Sequence, residues 1–308
     1  MPSRDVVTVG SAVIDHIYTL SNLPKPDGGA FVRDHTTHVG GVAANVASGL
    51  AEFGDETGVI SRVGADTAAA ITDDLQARGI DCSRIRSGPE ESSYTLILRG
   101  PDGERMIIAG GQSVLNLRLS DRDITYASDT AVVFTSAYAP DSVVSKLVNA
   151  REQGDISTLV FDLAGPLSEL EGRGTAPSTI DRLLSVADLF VVSEVAAESY
   201  FGGVEDAIAA LSRRVVPRAA VTQGEKGAFL LEGDTVTEVP AFDVDTEDTT
   251  GAGDVFTAGL IHTWELGPDS IGDAGRFAAA AAALSCTAKN ARGKLPTNAD
   301  VQAFLANH

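Results

Sequence analysis

The sequence is poor in cysteine, in lysine and in long apolar runs, and each shortage excludes something. Its 308 residues hold two cysteines, Cys82 and Cys286. They lie far apart and match no metal-ligand spacing, so neither a disulfide framework nor a thiolate metal centre is expected; buried thiols in a reducing compartment are. No stretch approaches the roughly 18 consecutive apolar residues of a membrane-spanning helix. The opening residues, MPSRDVVTVG, lack an apolar core followed by a small-residue cleavage site, so no secretory signal is expected. A cytoplasmic protein without membrane attachment is the reading. Lysine occurs five times among 23 basic residues, against 43 carboxylates, for a net charge of -20. Nucleic acid is a poor partner for such a surface. The balance suits a halophilic protein, for which salt screening makes self-repulsion tolerable; an ordinary acidic cytosolic enzyme is the alternative. Any anionic substrate then needs local positive elements or cations. Also missing is G-x-G-x-x-G directly after the first strand, where the chain has VGSAVID. That argues against a dinucleotide-dependent dehydrogenase.

What is present is a 44% hydrophobic chain, enough for a sizeable core. No internal repeat, low-complexity tract or linker divides it. Continuous apolar runs alternate with helical patterns. VVTVG (6–10), TGVISRVG (57–64), TAVVFTSA, TLVFDL, LFVVSE and AAVTQG read as strands. VAANVASGLAEFG, closing on Gly54, reads as a helix. So do DTAAAITDDLQARG, capped at Asp66 or Thr67 and ending at Gly79, and DSVVSKLVNAREQG. The alternation predicts a mostly parallel sheet covered on both faces. Residues 14–38 and 92–110 depart from it, reading as β-ribbons with Pro-Asp-Gly turns. They are taken as one small sheet, a lid, or alternatively as an extra edge hairpin. Two helices close the chain: one burying Val255, Phe256, Leu260, Ile261 and Trp264, and an alanine-rich one in SIGDAGRFAAAAAALSCTAK.

Four stretches carry chemistry. In DTTGAGDVFTAGL (248–260), Gly251, Ala252 and Gly253 open a helix. Unpaired N–H groups and the helix dipole make such a start an anion hole, and glycines let a ligand come close. A carboxylate at Asp254 would repel a simply bound anion. It makes sense as the acceptor of a proton from a hydroxyl that attacks a phosphoryl group held there. In HVGGVAANVASG, Gly40 and Gly41 precede a helix whose first turns hold Asn45, either a ligand contact or a packing residue. Asp15, just past the first strand, fits vicinal hydroxyls of a sugar or a solvated turn. VTQGEKG follows an apolar strand, a common ligand position in α/β folds, or forms a plain hairpin turn.

Taken in order, these pieces resemble the ribokinase/PfkB family of carbohydrate and nucleoside kinases over nearly the whole chain. The resemblance implies a single ribokinase-like α/β domain over 1–308, its lid built from about 12–39 and 91–112. It implies transfer of the γ-phosphoryl group of ATP to a hydroxyl. By it, Asp254 is the catalytic base and Gly251, Ala252 and Gly253 the anion hole. Asp15, Gly40, Gly41 and Asn45 contact the sugar, and Thr222, Gly224 and Gly227 the nucleotide. Asp248 and the backbone of Thr250 fall where many members hold a monovalent cation, usually potassium, with carbonyls from KNARGKLP completing that site. Mg²⁺ would ride on the ATP phosphates. Pairing of lids implies a homodimer.

The chain departs from the family twice. The N-x-x-E motif that supports Mg²⁺ falls on Ser193 and Ala196, with Glu194 or Glu198 as substitutes. Val42 stands where ribokinase-like members often carry lysine. The acceptor is first a free sugar. A nucleoside is second, with Phe31, His35, Tyr94 and Tyr138 available to stack a base. A pentose phosphate such as ribose 1-phosphate is third, with Arg33, Arg99 and Arg105 as basic groups. A nucleotide-binding regulatory protein without catalysis is the alternative of another class.

Overall fold

Both faces of the main sheet are covered, and its strands alternate their side chains between two cores. In a computed structural model that describes residues 4–101, 104–170, 172–213 and 216–308, the first strand, β1 (Arg4–Val9), sends Val7 and Val9 to one face and Val6 to the other. Strands β2 (Val13–Leu20) and β3 (Val32–Gly40) of a second, small sheet follow, then α1 (Val42–Phe53), β4 (Thr57–Gly64), α2 (Ala68–Gln76) and β5 (Asp81–Gly88). Two further strands of the small sheet, β6 (Tyr94–Arg99) and β7 (Arg105–Gly110), precede α3 (Asp121–Ser128), β8 (Thr130–Ser136), α4 (Asp141–Gln153) and β9 (Leu159–Leu163). The remainder is α5 (Leu167–Leu170), α6 (Pro177–Val186), β10 (Leu189–Ser193), α7 (Glu194–Phe201), α8 (Val204–Ser212), β11 (Arg218–Thr222), β12 (Ala228–Glu232), β13 (Thr235–Val239), α9 (Ala252–Leu260), α10 (Ile271–Ser285) and α11 (Asn298–Leu305).

The large sheet runs β13-β12-β11-β10-β9-β8-β1-β4-β5. It is parallel from β11 to β5, and β12 and β13 add antiparallel edges. Chain order runs outward in both directions from the β1/β8 boundary. In open α/β sheets that reversal opens a crevice at the carboxyl ends of the strands, where ligands bind. The small sheet runs β3-β2-β6-β7, with β2 and β6 paired in parallel and the outer pairs antiparallel. The two sequence ribbons therefore do join as one sheet. Of the two Pro-Asp-Gly turns, the first places Asp27 at a φ of 63°; Asp102 and Gly103 of the second lie outside the described residues.

Two helix boundaries differ from expectation. Thr67 occupies the N-cap position of α2, but its side chain makes no capping bond. It meets Ser92 Oγ at 2.5 Å, and Ser92 also donates to Asp66 Oδ1 at 2.7 Å. These side chains tie the helix start to the base of β6 instead. The regular helix ends at Gln76, with Gly79 completing the turn at a φ of 79°.

Candidate functional site

The start of α9 is shaped by Gly251, whose φ is 78°. A Cβ there would lie 2.7 Å from Ala291 Cβ and 2.9 Å from Ala291 Cα, so the KNARGKLP segment packs directly behind the turn. Ala252 N–H donates to Thr249 O at 3.3 Å. Gly253 faces open space: among the described residues, nothing beyond its chain neighbours and its own helix backbone lies within 4 Å of where a Cβ would stand. First-turn N–H groups lack intrahelical acceptors and carry the positive end of the dipole. Val255, Phe256 and Leu260 are buried beneath them, and Gly259 lets Ala278 of α10 approach to backbone contact. The apolar half of the segment thus fixes the aim of its polar half.

Asp254 meets Asn45 across 209 residues of sequence: Asn45 Nδ2 donates to Asp254 Oδ2 at 2.8 Å. The other end of that amide, Asn45 Oδ1, is buried with no partner among the described residues. Burial pushes the Asp254 carboxyl up to about 7; Asn45 opposes the rise and the charge of Asp15 adds to it. Gly41, at a φ of 97°, is the N-cap of α1. A Cβ on Gly40 would overlap the Asp15 carboxylate, so the glycine pair makes room for an acid as well as starting a helix. Asp15 accepts from Thr95 Oγ1 at 2.5 Å and is itself buried. Burial raises its pKa above the ordinary carboxylate value, against Thr95, Arg292, His38 and His16. Arg292 holds this corner together, donating from Nε to Val39 O at 2.9 Å and from Nη1 to Asp74 Oδ2 at 2.8 Å.

Two groups here escaped the sequence reading or entered it in another role. Asp162 ends the apolar run of β9, is 5% exposed, and accepts from Thr257 Oγ1 of α9 at 3.4 Å. Burial, and then the neighbouring Asp254, push it up to about 8. A single acid inside TLVFDL was the available signal. Tyr138, considered above for base stacking, donates to Glu169 Oε2 at 3.0 Å. Burial raises its phenol, with Glu169, Asp162 and Asp254 adding to the shift.

VTQGEKG is the turn between β11 and the antiparallel β12. Thr222 sits beside Ser193 at the carboxyl end of the sheet. Gly224 has a φ of 58°, and a Cβ on Gly227 would overlap Val239 O. Ser193 caps α7, accepting from Ala196 N–H at 3.3 Å, so the N-x-x-E positions serve helix capping and packing. Glu194 is paired with Lys226 at 3.0 Å, and Glu198 is exposed.

The residues of the small sheet sort by strand alternation. Asp15, Thr95, Ile97 and Arg99 share one face; His16, Tyr18, His35 and Tyr94 share the other. His35 stacks on Tyr18 with centroids 4.2 Å apart, Tyr94 meets His16 edge-on, and Phe31 is 78% exposed. His35 and Tyr94 therefore do not reach the Asp15 face, because the pleat turns them away. Arg33 is exposed. Arg99 and Arg105 reach the main domain instead: Arg99 pairs with Asp248, and Arg105 Nη1 donates to Thr250 Oγ1 at 2.9 Å.

Asp248 is consequently well supplied with donors. Its Oδ1 accepts from Thr250 N–H at 3.0 Å and Thr250 Oγ1 at 2.7 Å, and its Oδ2 from Asn290 N–H at 2.5 Å and from Arg99. Burial opposes its ionisation, but these donors together hold its pKa below the ordinary carboxylate value. No helix among the described residues is long and apolar enough to cross a membrane.

The chain is similar over 98% of its length to the ATP-dependent ribose-1-phosphate kinase of Halopiger xanaduensis, at 30% identity and covering 98% of that protein. It is 25% identical to the ribokinase of Bacillus subtilis, over 98% of this chain and all of the relative. Among solved structures it is similar to Arabidopsis thaliana ribokinase complexed with ribose and ATP, with a TM-score of 0.83, 26% identity and 98% of each chain covered. Residues 3–298 match the model of the pfkB family carbohydrate kinases. The chain belongs to the pfkB family of carbohydrate kinases, phosphotransferases whose acceptor is an alcohol group.

Proposed function

We propose that this protein transfers the γ-phosphoryl group of ATP to a hydroxyl of a small sugar. The observation that carries the reading is the 2.8 Å bond between Asn45 and Asp254. It fixes a high-pKa carboxylate in the first turn of α9, next to Gly253, where a Cβ would stand in open space. In the step proposed, the sugar oxygen bonds to the γ-phosphorus and the bond to the β-phosphate oxygen breaks, releasing ADP. The hydroxyl proton passes to Asp254. The start of α9, at Gly251, Ala252 and Gly253, faces the negative charge that develops. Gly253 is open to it, whereas the Ala252 N–H is shared with Thr249 O.

Asp15, held by Thr95, accepts from sugar hydroxyls, and the unpartnered Asn45 Oδ1 takes another. The four-stranded sheet that carries Asp15 acts as the lid over the sugar. Thr222, Gly224 and Gly227 flank the nucleotide at the carboxyl ends of β10 and β11. Among the described residues no three His, Cys, Asp or Glu side chains are placed to hold a metal unaided, so Mg²⁺ fits here as part of a MgATP substrate. The potassium expected at Asp248 and Thr250 fits less well, since Arg99 already neutralises that carboxylate. Exposed Phe31, Val32, Met106 and Ile108 on or beside the small sheet support pairing of two lids in a homodimer. The acidic surface suits a salt-rich cytoplasm.

A second reading, phosphorylation of a pentose phosphate, is favoured by the similarity to the Halopiger enzyme. A nucleoside acceptor has less support, because His35 and Tyr94 lie on the face of the sheet away from Asp15. The test is a screen of ATP consumption over free sugars, sugar phosphates and nucleosides, in magnesium and high salt. Turnover with a free sugar supports the first reading and turnover with sugar 1-phosphates alone moves the assignment to the second. Binding of ATP without turnover of any acceptor would overturn both in favour of a regulatory nucleotide-binding protein.

A further inference from the structure

The lid and the turn before α9 meet through charge. Arg99 ends β6, four residues along the same inward face as Thr95, which holds Asp15. Its guanidinium reaches the main domain and pairs with Asp248, whose side chain is 5% exposed. Arg105 stands opposite Arg99 across the β6–β7 ladder and donates to the hydroxyls of Thr250 at 2.9 Å and Thr249 at 3.4 Å. These contacts bridge 144 to 149 residues of sequence, so they are built by the tertiary fold. They converge on the stretch that the family resemblance assigns to a monovalent cation.

A bound potassium would have two tasks there: to balance the buried charge of Asp248 and to hold the turn in shape. Both are already done by protein groups. Arg99 balances the charge. Thr250, Asn290 and Arg99 occupy both carboxylate oxygens, and Ala291 packs under Gly251. A cation added beside Arg99 would meet like charge at close range in a half-buried site.

We propose that Arg99 takes the place of the monovalent cation behind the anion hole, delivering its charge from the lid. Nucleotide binding then needs no potassium, and docking of the lid and ordering of the turn become one event. Arg99 is here a positioning residue, acting through Asp248 on the backbone that faces the phosphate. The inference rests on the nucleotide site proposed above, but its test does not require turnover.

The experiment measures binding of the nonhydrolysable ATP analogue AMP-PNP with magnesium by calorimetry. Each protein is measured in KCl, NaCl and choline chloride at equal ionic strength. Wild type is expected to keep its Kd within about twofold across the three salts, because an absent site gives no salt-specific coupling. Arg99→Gln is expected to bind about tenfold more weakly in choline, with most of the loss restored by potassium. Arg99→Lys, which keeps the charge, is expected to fall between them and respond less to potassium. Potassium-specific tightening of wild type by tenfold or more would overturn the proposal without any variant. So would an Arg99→Gln protein indistinguishable from wild type in all three salts. If no binding of AMP-PNP is seen in any salt, the nucleotide site itself is refuted and the proposal falls with it. Turnover of an acceptor that depends strongly on potassium would refute the proposal while leaving the kinase reading intact.

Discussion

Asp248 and Asp254 stand at the two ends of the segment DTTGAGD, and their surroundings differ. Among the described residues Asp254 receives a single side-chain bond, from the neutral amide of Asn45, and burial raises its carboxyl to about 7. Asp248 receives two backbone N–H groups, a hydroxyl and a guanidinium, and is held below the ordinary carboxylate value. The two share a residue type and a short stretch of chain, but donor supply separates them. A carboxylate poised near neutrality can trade protons, whereas one saturated with donors can only hold structure.

The strongest way to break that contrast is to remove the proposed proton acceptor. Asp254→Asn is expected to lower kcat by about 10²–10⁴, the usual worth of a general base. ATP affinity measured by calorimetry should survive. A variant that kept wild-type kcat would end the distinction between the two acids. Next in size is Gly40, beside the proposed acceptor contact Asp15. Gly40→Ala sets a methyl against the Asp15 carboxylate, and should raise KM for the acceptor by about tenfold or more while KM for ATP stays near wild type.

A third measurement sharpens the comparison by pH. With its pKa at about 7, Asp254 is protonated and inactive as a base below neutrality. The value of kcat/KM should therefore climb about tenfold per pH unit below 7 and level off above it. Asp248, ionised throughout, should leave no inflection in that range. The smallest expected effect is at Asp162, whose carboxyl titrates at about 8. At pH 7 it carries its proton, so Asp162→Asn should change kcat by less than about threefold.

Its signature is in stability instead. A carboxyl with a folded pKa above its unfolded value keeps protons that the unfolded chain has lost, so its contribution declines as pH rises from about 4 to 8. The Tm of Asp162→Asn should accordingly fall less steeply than that of wild type between pH 6 and 8. Parallel Tm curves for the two proteins would show that Asp162 is not held protonated.

The interior of the fold was legible because the central parallel strands are apolar on both faces, as in LFVVSE and TLVFDL. Its edges were not. β5 and β13 carry mixed, half-exposed sequences, Asp81–Gly88 and Thr235–Val239, and their pairing is set by neighbours rather than by a buried pattern. At the site, Asp254 and Asn45 were legible because each follows glycines that open a helix. Their mutual bond was not, since its partners lie in distant helices. The engagement of Asp248 by Arg99 is invisible for the same reason: an arginine on a strand reads as solvated until the sheet that carries it is folded against its target. Alternation along β2, β3 and β6 would have shown that His35 and Tyr94 face away from Asp15, but only once the register of those strands was known.

The parallel pairing of β2 with β6 has a consequence for engineering and for divergence. These neighbours come from excursions on either side of β4, α2 and β5, so the small sheet, the proposed lid, is not a cassette. Transplanting only 13–40 from a relative would leave the new β2 seeking hydrogen bonds from a foreign β6. Asp15 would then face whatever residue replaced Thr95 as its donor. Substrate preference in such a chain can drift by point substitution or by concerted change of both excursions, but not by exchange of one contiguous block.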